Sequence, residues 1–412
     1  MRLDTLYLWF LGNPELPRRI GSLQITAVGK GVSLIYGTPW LADGFALSED
    51  LPLIDIEHLP TGKERAVGAV DDARPDRWGE RVIQYIDRPA RLSLMEYLFY
   101  AGDDRFGALG VSTSAQEYLP RRNGPLPRLA DAQSLSEAVA KISMKESITE
   151  LERQMLLAGG SFGGAKPKAL IEIDGVQWVI KFFNGEPVDV PLLEHATMSL
   201  ARKADISSAE TRSIPLRGEH ALAVKRFDRS GSRRVHSVSA GTALRAVTID
   251  GQVPDYSYPN LAQLLRRNGV ARGGQNLLDM RELFRRMVFN ILMDNTDDHE
   301  KNHALLMTLP GRHGSLRLAP AFDVLPTNSG QGRQEFGVGT DGFDSTLANA
   351  LSQCQLFGLS ESEARLEISK VIDVVNGWRR YFSDCGVSSS DIDNVAQRIE
   401  GEPLLSQRIE FK

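Results

Sequence analysis

Two stretches of this chain hold residues whose types and spacing suit phosphate chemistry. In MDNTDDHEKNHALLM (293 to 307), Asp297, Asp298, His299 and Asn302 crowd one short polar run, and LRLAPAFDVLP (316 to 326) adds Asp323. An aspartate, an asparagine five positions on, and a second aspartate beyond a hairpin follow the logic of phosphoryl transfer. The first aspartate takes the acceptor's proton, and the asparagine and second aspartate hold a metal. Their oxygens suit a hard cation such as Mg²⁺, which keeps waters and substrate phosphates as its other ligands. Helix capping and turn formation are the plain structural alternative for such a cluster. With no HExxH and no cysteine partner, His299 reads as a hydrogen-bonding scaffold for the loop rather than a zinc ligand.

The second stretch is AGGSFGGAKPKALIEIDGVQWVIKFF (158 to 183). Its glycines, Gly159, Gly160, Gly163 and Gly164, form a loop whose backbone N–H groups can approach an anion, although neither GxxxxGK[ST] nor GxGxxG is present. Asp174-Gly175 is a two-residue hairpin signal of type I′, which fixes the register of the flanking strands. With Ile173 opposite Val176, Lys168 falls opposite Lys181. Two like charges so placed repel unless an anion lies between them, and a polyphosphate beside the Gly loop would supply one. The alternative is a pair of splayed, solvated lysines. Glu194, on the next helix, either pairs with a lysine or sits on a solvated face.

Elements must position these groups. The helix MRELFRRMVFNILM has an apolar seam at Leu283, Phe284, Met287, Val288, Ile291 and Leu292, and Asp294-Asn295 breaks it, leaving the acidic loop directly after a buried helix. HALLM and SLRLA form a hairpin around Pro310-Gly311 that carries Asp323 toward that loop. Upstream, LYLWFLG and SLIYG indicate a β-rich region, and ARPDRWGERVIQYIDR and SLMEYLFY read as helices capping it. EYLPRRNGPLPRLADAQS is the best linker. Helices SLSEAVAKI and SITELERQMLLA, three β-type runs and a helix near LLEHATMSLARKADI follow, and beyond about residue 260 the chain reads as mostly helical. The expected division is 1–125, a β-rich N-terminal subdomain with capping helices; 126–229, a nucleotide-binding region; and 230–412, a helical lobe with the acidic loop.

The whole chain has 412 residues, 42% hydrophobic and 25% charged, enough for two or three packed units. Its 48 Lys+Arg and 53 Asp+Glu leave a net charge of −5, so it is no polycation built to coat nucleic acid. Two cysteines, Cys354 and Cys385, in no ligand spacing, argue for a reducing compartment and inert thiols. No apolar run reaches membrane-spanning length, so a cytoplasmic protein without membrane contact is expected. Arginines at 226, 229, 233 and 234, and at 266, 267, 285 and 286, are either phosphate contacts or solvated faces.

Taken in order, SFGGAKPK (161 to 168), VIKFF (179 to 183), ALAVKRFDR (221 to 229), NTDDHEKN (295 to 302) and LAPAFDVLP (318 to 326) resemble the HipA-like serine/threonine kinases, toxins of bacterial type II toxin-antitoxin modules. ARPDRWGERVI and AGDDRFGALG in the N-terminal third are similar to that family too. The resemblance implies an α+β, protein-kinase-like two-lobed fold with an extra β-rich N-terminal subdomain and a mainly helical C-terminal lobe. It implies ATP and Mg²⁺ as cofactors, Asp297 as the catalytic aspartate, and Asn302 and Asp323 as metal ligands. Gly163, Gly164, Ala165, Lys166 and Lys168 correspond to the nucleotide-contacting loop, and Lys181 to the lysine that reaches the phosphates. Lys225, Arg226 and Phe227 correspond to the hinge beside the adenine, with His299, Lys301, Asn302 and Asp323 as further ATP contacts. Ser161 stands at the family's autophosphorylated position, where added negative charge opposes nucleotide binding. The implied partners are a protein substrate with an aminoacyl-tRNA synthetase as precedent, a helix-turn-helix antitoxin, and operator DNA through that antitoxin. The alternatives are a kinase-fold small-molecule phosphotransferase and a catalytically weak corepressor module in an antitoxin-DNA complex.

Overall fold

A computed structural model describes every residue except 1–2, 27–29, 122–123, 158–165, 184, 249–251, 310–314 and 328. The chain begins with β1 (Thr5–Phe10), β2 (Arg18–Ile25) and β3 (Val32–Tyr36), then α1 (Thr38–Asp43), β4 (Glu57–His58), α2 (Gly68–Asp72), α3 (Arg77–Ile86), α4 (Leu94–Tyr100) and β5 (Leu109–Ser112). The five strands make one antiparallel sheet in the order β4-β3-β2-β1-β5. Alternation decides which face is buried: Leu6 and Leu8 of β1 and Leu23 of β2 are fully enclosed.

The two longer helices of this region, α3 and α4, serve different cores. Leu94, Met95 and Leu98 of α4 join the cluster under the first sheet. Trp78, Val82 and Ile86 of α3 instead pack with Ile171, Trp178 and Ile180 of the next sheet, so α3 is a strut across to the lysine hairpin rather than a cap on its own sheet. Its Trp78 indole donates to the carbonyl of Lys168 at 2.7 Å.

That next sheet follows α5 (Ala132–Met144) and α6 (Glu150–Leu157), and comprises β6 (Lys168–Ile173), β7 (Val176–Phe182), β8 (Thr211–Pro215) and β9 (His220–Lys225) in the order β6-β7-β9-β8. Helix α7 (Val190–Lys203) lies in sequence between the two hairpins, so two strands precede it and two follow, where the sequence suggested three before it. Asp189 caps it by accepting from the Leu192 N–H at 3.1 Å, and Pro191 sits in its first turn, which favours a helix start at that point. β8 escaped the sequence reading because TRSIP is short and ends in proline, as an edge strand tolerates.

The remainder runs β10 (Arg229–Ser230), β11 (Arg233–Arg234), β12 (Ser237–Ser239), α8 (Ala240–Ala246), α9 (Tyr258–Asn268), α10 (Gln275–Leu292), β13 (Ala304–Leu309) and β14 (Ser315–Leu318). Five helices close it: α11 (Leu347–Ser352), α12 (Glu361–Val375), α13 (Trp378–Asp384), α14 (Ser389–Ile399) and α15 (Glu402–Glu410). The anticipated seam of α10 is fully buried. Strands β13 and β14 pair, with Leu305 opposite Leu318, and β12 adds to them. The tip of that hairpin, including Pro310-Gly311, lies outside the described residues. No described helix is long and apolar enough to cross a membrane.

Candidate functional site

Asp174 and Gly175 both have positive φ, 54° and 75°, as a type I′ turn requires. The register that turn imposes is the one expected, and Lys168 stands opposite Lys181. The anion beside the lysines is supplied by the protein itself: the Lys181 ammonium contacts Glu194 Oε1 at 2.6 Å and Asp323 Oδ1 at 2.7 Å. Glu194 is buried rather than on a solvated face, because α7 turns it inward beside Leu192, Leu193 and Ala196. Burial alone would lower the Lys181 ammonium, but Asp323 and Glu194 hold it above its ordinary value. Burial would raise Asp323, and Lys181 with Lys168 holds it well below the carboxylate range. Burial pushes Glu194 up against the pull of Lys181. Lys168 has no hydrogen bond to its ammonium among the described residues; burial lowers it, and Lys181 acts in the same direction. Lys166 stands 3.8 Å from Glu186. Ser161, Gly163, Gly164 and Ala165 lie outside the described residues.

The acidic loop begins where α10 ends at Leu292 and Asp294 adopts φ 53°, a conformation that stops the helix. Asp297 is exposed, and the Asn302 amide reaches its carbonyl at 3.4 Å. His299 scaffolds the turn: its Nδ1 accepts from the Lys301 N–H at 3.2 Å, and its carbonyl from the Asn302 N–H at 2.9 Å. Asp298 has a different task from Asp297. It is buried, accepts from the Tyr258 hydroxyl, and meets His303 Nε2 at 2.8 Å, anchoring the loop to α9. Lys301 pairs with Asp76 at 3.1 Å, a contact from the segment just ahead of α3. Asp323 has φ 59°, a strained value for a residue with a Cβ, and the segment before it is pinned where the Ala321 N–H donates to the Ser207 carbonyl at 2.7 Å. The structure thus gathers Lys181, Glu194 and Asp323 in one set of contacts, and Asp297, His299, Lys301 and Asn302 in another. Asn302 and Phe322, the neighbour of Asp323, line a small common void.

A cavity of about 340 Å³ opens beside these groups and has Lys168, Lys181, Asp323 and Lys301 in its walls. Part of its lining is aromatic: Phe227 packs against Phe106 at 5.6 Å and Phe322 at 5.5 Å between ring centres. Aromatic lining beside cationic groups is a surface suited to a base with phosphates attached. Phe106 and Phe322 carried no spacing signal in the sequence.

The arginines of KRFDR are neither phosphate contacts nor solvated. The Arg226 guanidinium bonds Asp228 at 3.0 and 2.7 Å and the carbonyls of Asp104 and Arg105 at 2.8 and 2.9 Å. Arg229 reaches the Gly107 and Arg105 carbonyls at 2.9 and 3.0 Å, and Asp228 accepts from the Gly107 N–H at 2.7 Å. Burial would raise the Asp228 carboxyl, but Arg226 and Arg229 hold it down at about 2. These contacts clamp the AGDDRFGALG turn to the end of β9. Arg234 is bonded to Asp103, Arg285 to Glu367, and Arg286 lies buried against Glu282 and the Ala319 carbonyl. Lys225 pairs at the surface with Glu210 at 2.9 Å. An aspartate flanked by arginines, as in Arg226-Phe227-Asp228-Arg229, was the available signal for this clamp.

The HipA-like C-terminal domain family matches residues 160–378, more than half of the chain. “Putative kinase Y4dM” of Sinorhizobium fredii (strain NBRC 101917 / NGR234) is 28% identical over 254 residues, which span 58% of this chain and 56% of that protein, so the match reaches little more than half the relative's length. Among solved structures, HipA from the Shewanella oneidensis MR-1 toxin-antitoxin complex of HipA, HipB and operator DNA superposes with a TM-score of 0.64 at 17% identity, covering 98% of this chain and 97% of that one. The Helicobacter pylori proinflammatory kinase CtkA gives a TM-score of 0.47 at 14% identity, over 61% of this chain and 95% of the other. The fold is therefore kinase-like, a mixture of helix and sheet, and the chain belongs to the HipA-like family.

Proposed function

We propose that this protein is an ATP- and Mg²⁺-dependent serine/threonine protein kinase of the HipA type. The observation that carries this is Lys181 held between Glu194 and Asp323 at the wall of a cavity with a partly aromatic lining. In this reading Phe227, Phe322 and the 225–227 hinge receive the adenine, with Arg226 acting by holding the hinge rather than by touching the base. Lys181 and Lys168, with Lys166 and residues 163–165, take the phosphates, and His299 and Lys301 shape the loop beside them. Asp297, exposed and close to Asn302, orients the acceptor hydroxyl and receives its proton. One carboxylate, Asp323, and one side-chain amide, Asn302, fit an ion that brings phosphate and water as its other ligands, and no group of three or more acidic, His or Cys ligands exists among the described residues. Mg²⁺ bound there would neutralise charge on the phosphates. Most of the rate enhancement then comes from positioning and charge neutralisation.

The regulatory and partner assignments belong to the same proposal. Ser161 is its autophosphorylation site, the acceptor is a protein hydroxyl, with an aminoacyl-tRNA synthetase as the family precedent, and the outcome is arrested translation in the cytoplasm. Because the Shewanella HipA structure also contains HipB and operator DNA, a helix-turn-helix antitoxin and its operator are the partners proposed here. The division 1–125, 126–229 and 230–412 is its domain plan. Incubation with γ-labelled ATP and Mg²⁺, followed by mapping of the phosphate, tests the reading. Label is expected on wild type and absent from Asp297→Ala, which keeps ATP affinity in calorimetry. No nucleotide binding and no label on wild type would overturn it.

A further inference from the structure

The same cavity has a wall that the kinase reading leaves unused. It is built from residues 65–76 and from α8, and it presents Arg65, Arg74 and Arg245 around one carboxylate, Asp71. Arg74 Nε bonds Asp71 Oδ1 at 2.9 Å, whereas Arg65 and Arg245 stand off at 3.6 and 3.7 Å from Oδ2. Asp71 also accepts from the Ala66 N–H at 3.1 Å. Among the described residues Arg245 has one further hydrogen-bond partner, the Thr242 hydroxyl at 3.2 Å, and its charge also acts on the Asp50 carboxyl. Each guanidinium carries a fork of N–H donors, and most of the donors on this wall are not engaged by any described residue. Arg74 and Arg245 are largely enclosed, with side chains 22% and 16% exposed, so neither is an ordinary solvated surface arginine.

The other carboxylates facing this wall do not satisfy the three cations. Asp72 accepts from the Ser239 N–H and hydroxyl and from the Thr242 hydroxyl, at 2.7, 2.8 and 2.9 Å. Asp76 is held by Lys301. Glu80 lies 3.8 Å from Arg74, and Glu300 enters from the acidic loop. Among the described residues only Asp71 is within ion-pair range of more than one of the arginines. Guanidinium forks match tetrahedral oxyanions in geometry, and two of these three are already half desolvated.

We propose that Arg65, Arg74 and Arg245 form an oxyanion subsite, separate from the Lys181 contacts, that takes a phosphate group carried into the cavity by a small molecule. Free phosphate and a phosphate on the sugar of a bound nucleotide share this chemistry. A dianion entering here draws Arg65 and Arg245 off their long contacts with Asp71.

Inorganic phosphate is the first probe, titrated against the full chain by calorimetry and thermal shift, with chloride at matched ionic strength as the control. Wild type binds phosphate beyond the chloride control. Arg74→Met and Arg245→Met each weaken it about tenfold, the loss of a charge-assisted contact. Arg65→Ala, at a more exposed position where folding is not at stake, weakens it less, and Asp71→Asn tightens it because a competing anion is gone. The part of the phosphate binding that Arg74→Met removes persists in Lys181→Met. Absence of phosphate binding to wild type, binding unchanged in the arginine variants, or binding lost only in Lys181→Met overturns the subsite. A second arm compares AMP with adenosine 3′,5′-bisphosphate. A tenfold preference for the bisphosphate that disappears in Arg74→Met assigns the phosphate to the nucleotide. Additive binding of AMP and free phosphate assigns it to the ion. This arm is independent of phosphotransfer, so a failed kinase assay leaves the subsite standing, and a failed subsite leaves the kinase standing.

Discussion

Replacing Lys181 with methionine removes the cation from a buried set of charges and leaves Glu194 facing Asp323. Removing one partner of a buried pair costs about 3–5 kcal/mol, because the remaining charge stays desolvated and uncompensated. The lower end, about 3 kcal/mol, applies for two reasons. Asp323 is 37% exposed and partly screened by water. Lys168, relieved of repulsion from Lys181, also becomes a better partner for both carboxylates. The pH dependence follows from the directions of the shifts. In wild type Asp323 is held below its unfolded value of about 3.9, so its contribution is present above that pH and is lost only as pH falls through the folded value. Lys181 is held above its unfolded value of about 10.4, so its contribution is complete below that pH and fades in strong alkali. In Lys181→Met the two carboxylates repel, so Asp323 loses its depression and Glu194, already raised by burial, is raised further, and their penalty appears only as pH climbs through the raised values. Urea unfolding should therefore show a gap of about 3 kcal/mol at pH 8 that narrows by at least about 1 kcal/mol at pH 4.5. A gap that is constant with pH, or no gap at all, would refute the account of Lys181 as the counter-ion of this pair.

Asp228→Asn should cost about 3–5 kcal/mol in urea unfolding at pH 7, since Arg226 and Arg229 lose the carboxylate they share in a dry site. That contribution is present above about pH 3.9 and falls away as pH drops toward the folded value of about 2, so the variant and wild type should converge in acid. His236 is buried, with Nε2 2.7 Å from the Leu47 carbonyl, and burial pushes its imidazole down to about 4. A histidine kept neutral in this way is harmless above about pH 6.5 and costs up to about 3 kcal/mol as pH falls from 6.5 to 4. His236→Leu should flatten that part of the stability profile, and an unchanged slope would exclude His236 as its source. Phe227→Ala should raise the Kd for ATP about tenfold in calorimetry through lost stacking, while the Lys181 contacts keep the phosphates in place.

What was legible in the sequence was local, and what was not depended on contacts made far along the chain. The Asp174-Gly175 turn fixes the position of two lysines because a two-residue hairpin permits one register, and period-3.6 apolar spacing identifies the buried face of α10 before any neighbour is known. The partner of Lys181 is another matter. Glu194 lies 13 residues on and Asp323 142 residues on, and no spacing rule selects these two carboxylates from the rest. The arginine runs show the same limit more sharply. Exposure and phosphate contact are the two fates that composition suggests, yet Arg226 and Arg229 meet carbonyls more than a hundred positions earlier and are dry. That pairing has a consequence for the site. Because the guanidinium of Arg226 is spent on Asp228 and on the 104–105 carbonyls, the segment after β9 is tied to the turn before β5, and α3 ties the strand of Lys168 to the same N-terminal region through Trp78. Two walls of the cavity are thus fixed from outside the segment that the HipA-like C-terminal family covers, so the N-terminal residues are part of what shapes the site.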